Sequence, residues 1–292
     1  TILKPGEHMV ASRCMFGTTI VLLNSIIEKF GIHVTFVDLP DIDGWKNSIQ
    51  NNTKLFLLET PSNPLGEVVE IKKLAAISKQ NDIVLAVDNC VMSPALQRPL
   101  SLGADLVIHS ATKYIDGQGR CLAGAVAGKA SIIDEISLFT RSTGPTLSAF
   151  NAWVVLKGLE TLSLRMKAHS ESALKLALWL ESQTFVEKVH YVGLESHPHH
   201  KIAKDQQTGF GGIVSFEVKG GRKEAFNLIN NTKMISITAN LGDAKTTITH
   251  PSTTTHVRLT KEEKQQTHIS ENLVRISVGL ENVEDIIDDL NP

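Results

Sequence analysis

The chain has 292 residues, 42% of them hydrophobic and 21% charged, with a formal net charge of -2. That length can bury a large core and suits two domains. The near balance of charge argues against nucleic acid or acidic lipid as a partner, and no apolar run is long enough to span a membrane.

The opening residues, Thr1 to Gly6, read as neither a signal nor a transit peptide. Cys14, Cys90 and Cys121 are odd in number and lack metal-like spacing, so they read as reduced thiols buried beside strands. Together these features predict a cytoplasmic protein.

Along the chain, His8 to Arg13 predicts a short strand, and Gly17 to Phe30 has helical periodicity. Val34 to Asp38, Lys54 to Glu59, Ile83 to Asp88 and Asp105 to Ser110 are short, mostly apolar runs, with a helical segment at Ile71 to Asn81 between them. Continuous runs such as Ile83-Val84-Leu85-Ala86-Val87 suit strands buried on both faces. The expected architecture is therefore α/β, with a mostly parallel sheet. A long helix follows Thr146 and runs to Glu181; the domain boundary is placed near Arg165, giving units 1–165 and 166–292. The second unit reads as a smaller α/β domain. Its strands fall at Val189 to Val192, Gly212 to Val218, Met234 to Thr238 and Leu273 to Val278, and its helices at Arg222 to Asn231 and Val283 to Leu290.

The chemistry concentrates around His109-Ser110-Ala111-Thr112-Lys113-Tyr114 and the upstream pair Asp88-Asn89. A lysine after a strand, two hydroxyls just before it and an aspartate ending the preceding strand are the groups needed to hold pyridoxal 5′-phosphate (PLP). The Lys113 amine would form a Schiff base, Ser110 and Thr112 would bind phosphate, and Asp88 would pair with the pyridinium nitrogen. Glu59-Thr60-Pro61-Ser62-Asn63-Pro64 ends another strand, and prolines on both sides restrict the turn that carries Asn63. Arg275, within an aliphatic strand, needs a partner if buried, and a substrate carboxylate would satisfy it. Each residue alone has a plainer reading. Lys113 could be a solvated loop lysine, Asp88 and Asn63 turn residues, and Arg275 a solvent-facing edge residue; the ordered combination is what is hard to obtain by chance. His197, His199, His200, His250 and His256 lack acidic or cysteine partners at ligand spacing, so no metal site is expected.

The segments Glu59 to Pro64, Val87-Asp88-Asn89, Ser110 to Tyr114, His250-Pro251 with Thr255-His256, and Arg275 to Glu281 occur in the order found in the Cys/Met-metabolism PLP enzymes, and the chain resembles that family throughout. The resemblance implies a fold-type I PLP-dependent enzyme. It implies Lys113 as the cofactor lysine, Asp88 as the ring-nitrogen partner, Ser110 and Thr112 at the phosphate, and Arg275 at the substrate carboxylate. Asn63 and Asn240 would lie beside the substrate, Asn63 also within reach of the cofactor's phenolic oxygen. Phe16 would stack on the cofactor ring where relatives usually carry tyrosine. Phe16-Gly17-Thr18-Thr19, Gly117 to Leu122 and Leu241 to Pro251 resemble the homoserine-ester sulfhydrylase branch more than the lyases.

The implied reaction is γ-replacement in methionine biosynthesis, O-succinylhomoserine plus sulfide giving homocysteine plus succinate, with Arg120 bringing charge toward the succinyl carboxylate. Cystathionine γ-synthase and γ-lyase activities are the alternatives. Family members carry a further N-terminal portion that helps grip the phosphate, and they are usually homotetramers. Its absence from this sequence predicts weak PLP binding by these residues alone, and in the limit a non-catalytic fragment.

Overall fold

The computed structural model describes residues 1–291. Six strands build the first sheet: β1 (His8–Ser12), β2 (His33–Val37), β3 (Thr53–Glu59), β4 (Val84–Asp88), β5 (Leu106–Ser110) and β6 (Gly124–Gly128). Their order across the sheet is β2-β1-β3-β4-β5-β6. The first five run parallel, and β6 pairs antiparallel with β5 at one edge.

Helices α1 (Gly17–Ser25), α2 (Ile42–Asn47), α3 (Ile71–Gln80), α4 (Ser93–Leu96), α5 (Ala130–Thr143) and α6 (Ala149–Glu181) accompany this sheet. Side chains alternate across a strand, so each central strand feeds two cores. Val10, Phe56, Leu58, Leu85 and Val87 pack with Trp45 of α2 and Leu74 of α3. Met9, Ala11, Leu55, Ala86 and Leu106 enter the opposite layer, with Ile20 and Leu23 of α1 and with Ile132, Ile133 and Ile136 of α5.

The second sheet has the order β7-β8-β11-β10-β9. Its strands are β7 (Val186–His190), β8 (Ile213–Val218), β9 (Ser236–Ile237), β10 (Thr247–Thr249) and β11 (Leu273–Ser277). All pairings are antiparallel except β9 with β10. Four helices complete the chain: α7 (His200–Gln206), α8 (Arg222–Asn231), α9 (Lys261–Gln266) and α10 (Val283–Leu290). One face of this sheet is apolar. Val214, Phe216, Val274 and Ile276 pack against Leu176 and Leu180 of α6, Ile229 of α8 and Ile286 of α10. Helix α6 serves both regions, because Leu162 and Met166 pack around Tyr114 and Ile115 beyond β5.

Several elements differ from the sequence reading. The helix starting at Gly17 stops at Ser25, and a separate 3-10 turn covers Ile27–Phe30 and ends at Gly31 with φ 75. Strand β6 was not expected, since Gly-Ala-Val-Ala-Gly has no alternation of large side chains; its pairing with β5 defines it. Helix α5 was also unassigned. Strand β7 starts at Val186 rather than Val189, because the exposed Glu187 and Lys188 mask its apolar content.

Candidate active site

The carboxyl ends of β3, β4 and β5 open into one cleft of about 680 Å³. Their terminal residues, Glu59, Asp88 and Ser110, line it, together with Lys113 on the following turn. Strand ends in a parallel sheet are where ligands gather, because the loops there leave polar groups uncommitted. Of the residues singled out from the sequence, Phe16, Asn63, Asp88, Ser110, Lys113, Asn240 and Arg275 come together in this lining. Thr112 is not part of it: its hydroxyl accepts from the Ala123 N–H at 3.0 Å and donates to the Ala123 carbonyl at 3.2 Å.

The Lys113 turn is held from several sides. The Lys113 N–H donates to the Ser110 carbonyl at 3.1 Å, and the Gly117 N–H donates to the Lys113 carbonyl at 2.8 Å. The buried Arg165 of α6 donates to the carbonyls of Tyr114 (2.7 Å), Ile115 (3.3 Å) and Gly158 (2.8 Å). Gly242 (φ +78) packs so closely that a Cβ there would lie 2.7 Å from the Tyr114 nitrogen. From this fixed turn, Lys113 Nζ reaches into the cleft and donates to Asn240 Oδ1 at 2.6 Å. Burial lowers the amine's pKa, which raises the neutral fraction able to attack a carbonyl.

Asp88 accepts one backbone N–H, from Cys90 at 2.9 Å. Burial pushes its carboxyl up to about 6, and no protein cation among the described residues pairs with it. A buried carboxylate lacking a cation fits a ligand carrying a protonated ring nitrogen. Glu59 stands beside it in register on β3. Its carboxyl is raised by burial first and by Asp88 second, and its Oε2 accepts the Phe16 N–H at 2.9 Å. The sequence reading missed Glu59 as a site residue. The available signal was its position, an acid ending the strand adjacent to the one Asp88 ends.

Arg275 is 1% exposed and enters from the polar face of β11. Its Nη1 donates to Asn63 Oδ1 at 3.2 Å, and its Nη2 donates to the carbonyls of Ala239 (2.8 Å) and Asn240 (3.0 Å). Its Nε is buried and has no partner among the described residues, an unsatisfied donor on a side chain that lines the cleft. Burial lowers its pKa to about 10, so the guanidinium stays charged near neutral pH. Phe16 precedes α1, lines the cleft and is 40% exposed. An amine, a carboxylate without a protein cation, a buried guanidinium and an exposed phenylalanine thus line one cleft, a set of groups that fits PLP with an amino-acid substrate.

Arg120 stands elsewhere. Its Nε donates to the buried Asp116 carboxylate at 2.8 Å, its Nη2 to the Asp116 carbonyl, and it does not line the cleft. His197 and His199 border a separate hollow of about 400 Å³, where the His197 Nε2 lies 3.4 Å from the Leu65 carbonyl and His199 Nδ1 accepts the Val68 N–H. Among the described residues, no three His, Cys, Asp or Glu side chains are grouped to hold a metal ion, and no helix is long and apolar enough to cross a membrane.

Residues 1–292 match the family described as Cys/Met metabolism PLP-dependent enzyme. The chain is 53% identical over 290 residues to the O-succinylhomoserine sulfhydrylase of Pseudomonas aeruginosa, covering 99% of this chain and 72% of that protein. It is 42% identical over 293 residues to the L-methionine gamma-lyase of Fusobacterium nucleatum subsp. polymorphum, covering 99% and 74%. The crystal structure of cystathionine gamma-lyase from Lactobacillus plantarum complexed with L-serine superposes with a TM-score of 0.95 at 32% identity, covering 99% of this chain and 76% of that one.

Proposed function

The chain belongs to the Cys/Met metabolism PLP-dependent enzymes of fold-type I, and from that premise we propose that its cleft carries out γ-replacement on an acylated homoserine, with sulfide as the incoming nucleophile. The products from O-succinylhomoserine are homocysteine and succinate. The observation that carries this reading is the 53% identity to a sulfhydrylase along nearly the whole chain, against 42% for a γ-lyase over the same span.

When bound, PLP supplies an aldehyde for an amine to attach to and a ring that withdraws electrons from the neighbouring carbon. The chain's residues divide the remaining work. Asp88 would hold the ring nitrogen and favour its protonated form. Ser110, which lines the cleft, would hold the phosphate, while Thr112 braces the turn through its two bonds to Ala123. Phe16 covers one ring face, steadied by the bond from its N–H to Glu59. Arg275 orients the substrate through its α-carboxylate, and Asn63 and Asn240 line the path beside it. With the cofactor and substrate bound, the Lys113 amine would be the base placed to take the proton from Cα and to move protons at Cβ. Phe16 has no hydroxyl to share that task, so proton movement falls to Lys113.

Product analysis tests the reading. With cofactor and O-succinylhomoserine supplied, sulfide should give homocysteine faster than cysteine gives cystathionine. Faster cystathionine formation would make the chain a cystathionine γ-synthase. Rapid 2-oxobutyrate release with no nucleophile would make it a γ-lyase.

A further inference from the structure

We infer that Arg258 recognises the far carboxylate of a dicarboxylic acyl group, and so selects O-succinyl- over O-acetylhomoserine; the inference rests on the γ-replacement reading above. Three cations line the cleft: Lys113, Arg258 and Arg275. The first is held by Asn240, and the third by Asn63 and two carbonyls. Arg258 makes no hydrogen bond or ion pair to any described residue and is exposed.

Its exposure does not leave it loosely placed. His256 and Leu259, on either side, are 3% and 6% exposed. The His256 N–H donates to the Pro251 carbonyl at 2.9 Å, and the Leu259 N–H to the His256 carbonyl at 3.2 Å. Leu259 packs with Met15, Ile20 and Leu23. The loop also abuts the start of α1: the Thr255 carbonyl oxygen would lie 3.1 Å from a Cβ built on Gly17. Arg258 is therefore a free guanidinium on a pinned loop, exposed and lining the same cleft as Phe16.

The substrate has matching ends. O-succinylhomoserine carries one carboxylate at Cα and another at the tip of its acyl chain, whereas the acetyl ester lacks the second. With the α-carboxylate at the buried Arg275, the acyl group points away from the cleft floor toward the rim. A planar guanidinium there can take a carboxylate with two parallel hydrogen bonds. Arg120 cannot serve, because Asp116 already holds it.

The test compares both esters, with sulfide, in wild type, Arg258→Gln and Arg258→Glu. Arg258→Gln should lower the ratio of kcat/KM for the succinyl over the acetyl ester about tenfold, and Arg258→Glu should lower it further. Calorimetric titration of succinate, with acetate as control, reads the same contact without turnover and should show succinate weakened about tenfold in Arg258→Gln. The assignment falls if either quantity stays within about twofold of wild type. If wild type uses neither ester, the γ-replacement reading falls, and the succinate titration alone decides Arg258.

Discussion

In the first sheet, strands such as β1, β3 and β4 are buried on both faces, so their chemistry appears only where they stop: Glu59, Asp88 and Ser110 are all terminal residues. The second sheet is apolar on one face only. On β8 and β11, Val214, Phe216, Val274 and Ile276 fill the core, while Ser215, Arg275 and Ser277 alternate onto the other side. Ser215 Oγ donates there to the Pro64 carbonyl at 2.7 Å, and Ser277 Oγ accepts the Gly242 N–H at 3.0 Å. One region delivers function from strand ends, and the other from a strand face. On the proposed reading, the first supplies groups for a cofactor and the second the grip on a substrate.

Removing the amine should have the largest effect on this division. Lys113→Ala should lower turnover by at least about 10³-fold and abolish the lysine adduct trapped by borohydride. Peptide mapping that places the trapped cofactor on another lysine would break the assignment. Arg275→Ala tests the other region. It should cut kcat/KM by about 10²-fold or more, mainly through KM, while the absorbance of bound cofactor persists. Loss of cofactor absorbance instead would show that the two regions do not divide the work this way.

Asp88→Asn separates function from stability. The folded-state pKa of Asp88, about 6, lies above the ordinary value of about 3.9. The folded chain therefore binds more protons than the unfolded chain between those pH values, and Asp88 lowers stability as pH rises through that window. In cofactor-free protein, Asp88→Asn should raise the unfolding midpoint at pH 7 by roughly 2–5 °C and change little at pH 4. With cofactor present it should impair turnover. A lower midpoint at pH 7 would contradict the unpaired-carboxylate picture. The smallest change is expected from Arg120→Gln, which should leave the ratio of succinyl to acetyl ester use within about twofold. A larger shift would move the acyl contact away from the cleft rim.

Much of this organisation was legible because each region writes a plain pattern. Ile83 to Asp88 is an aliphatic run ending in an acid, and Leu273 to Val278 is an aliphatic run interrupted by Arg275. Strand β6 was not legible, because small residues carry no periodicity and only the partner strand defines it. Glu59 was seen as the end of a strand, but its role depends on register with Asp88, which no local pattern encodes. The same holds for Arg165 and Arg258. One is identified by carbonyls more than forty residues upstream, and the other by the lack of a partner among the described residues.

Helix α6 ties the stabilities of the two regions together. Its early turns bury Leu162 and Met166 against the segment after β5, and its later turns bury Ala173, Leu176, Ala177 and Leu180 against β8 and β11. No cap or glycine break separates the two stretches. Fraying of one core removes support from a rod that also braces the other, so opening should spread across the sheets as a single cooperative event. Amide exchange would show this as shared protection at Met166 and Leu176, closing and opening together.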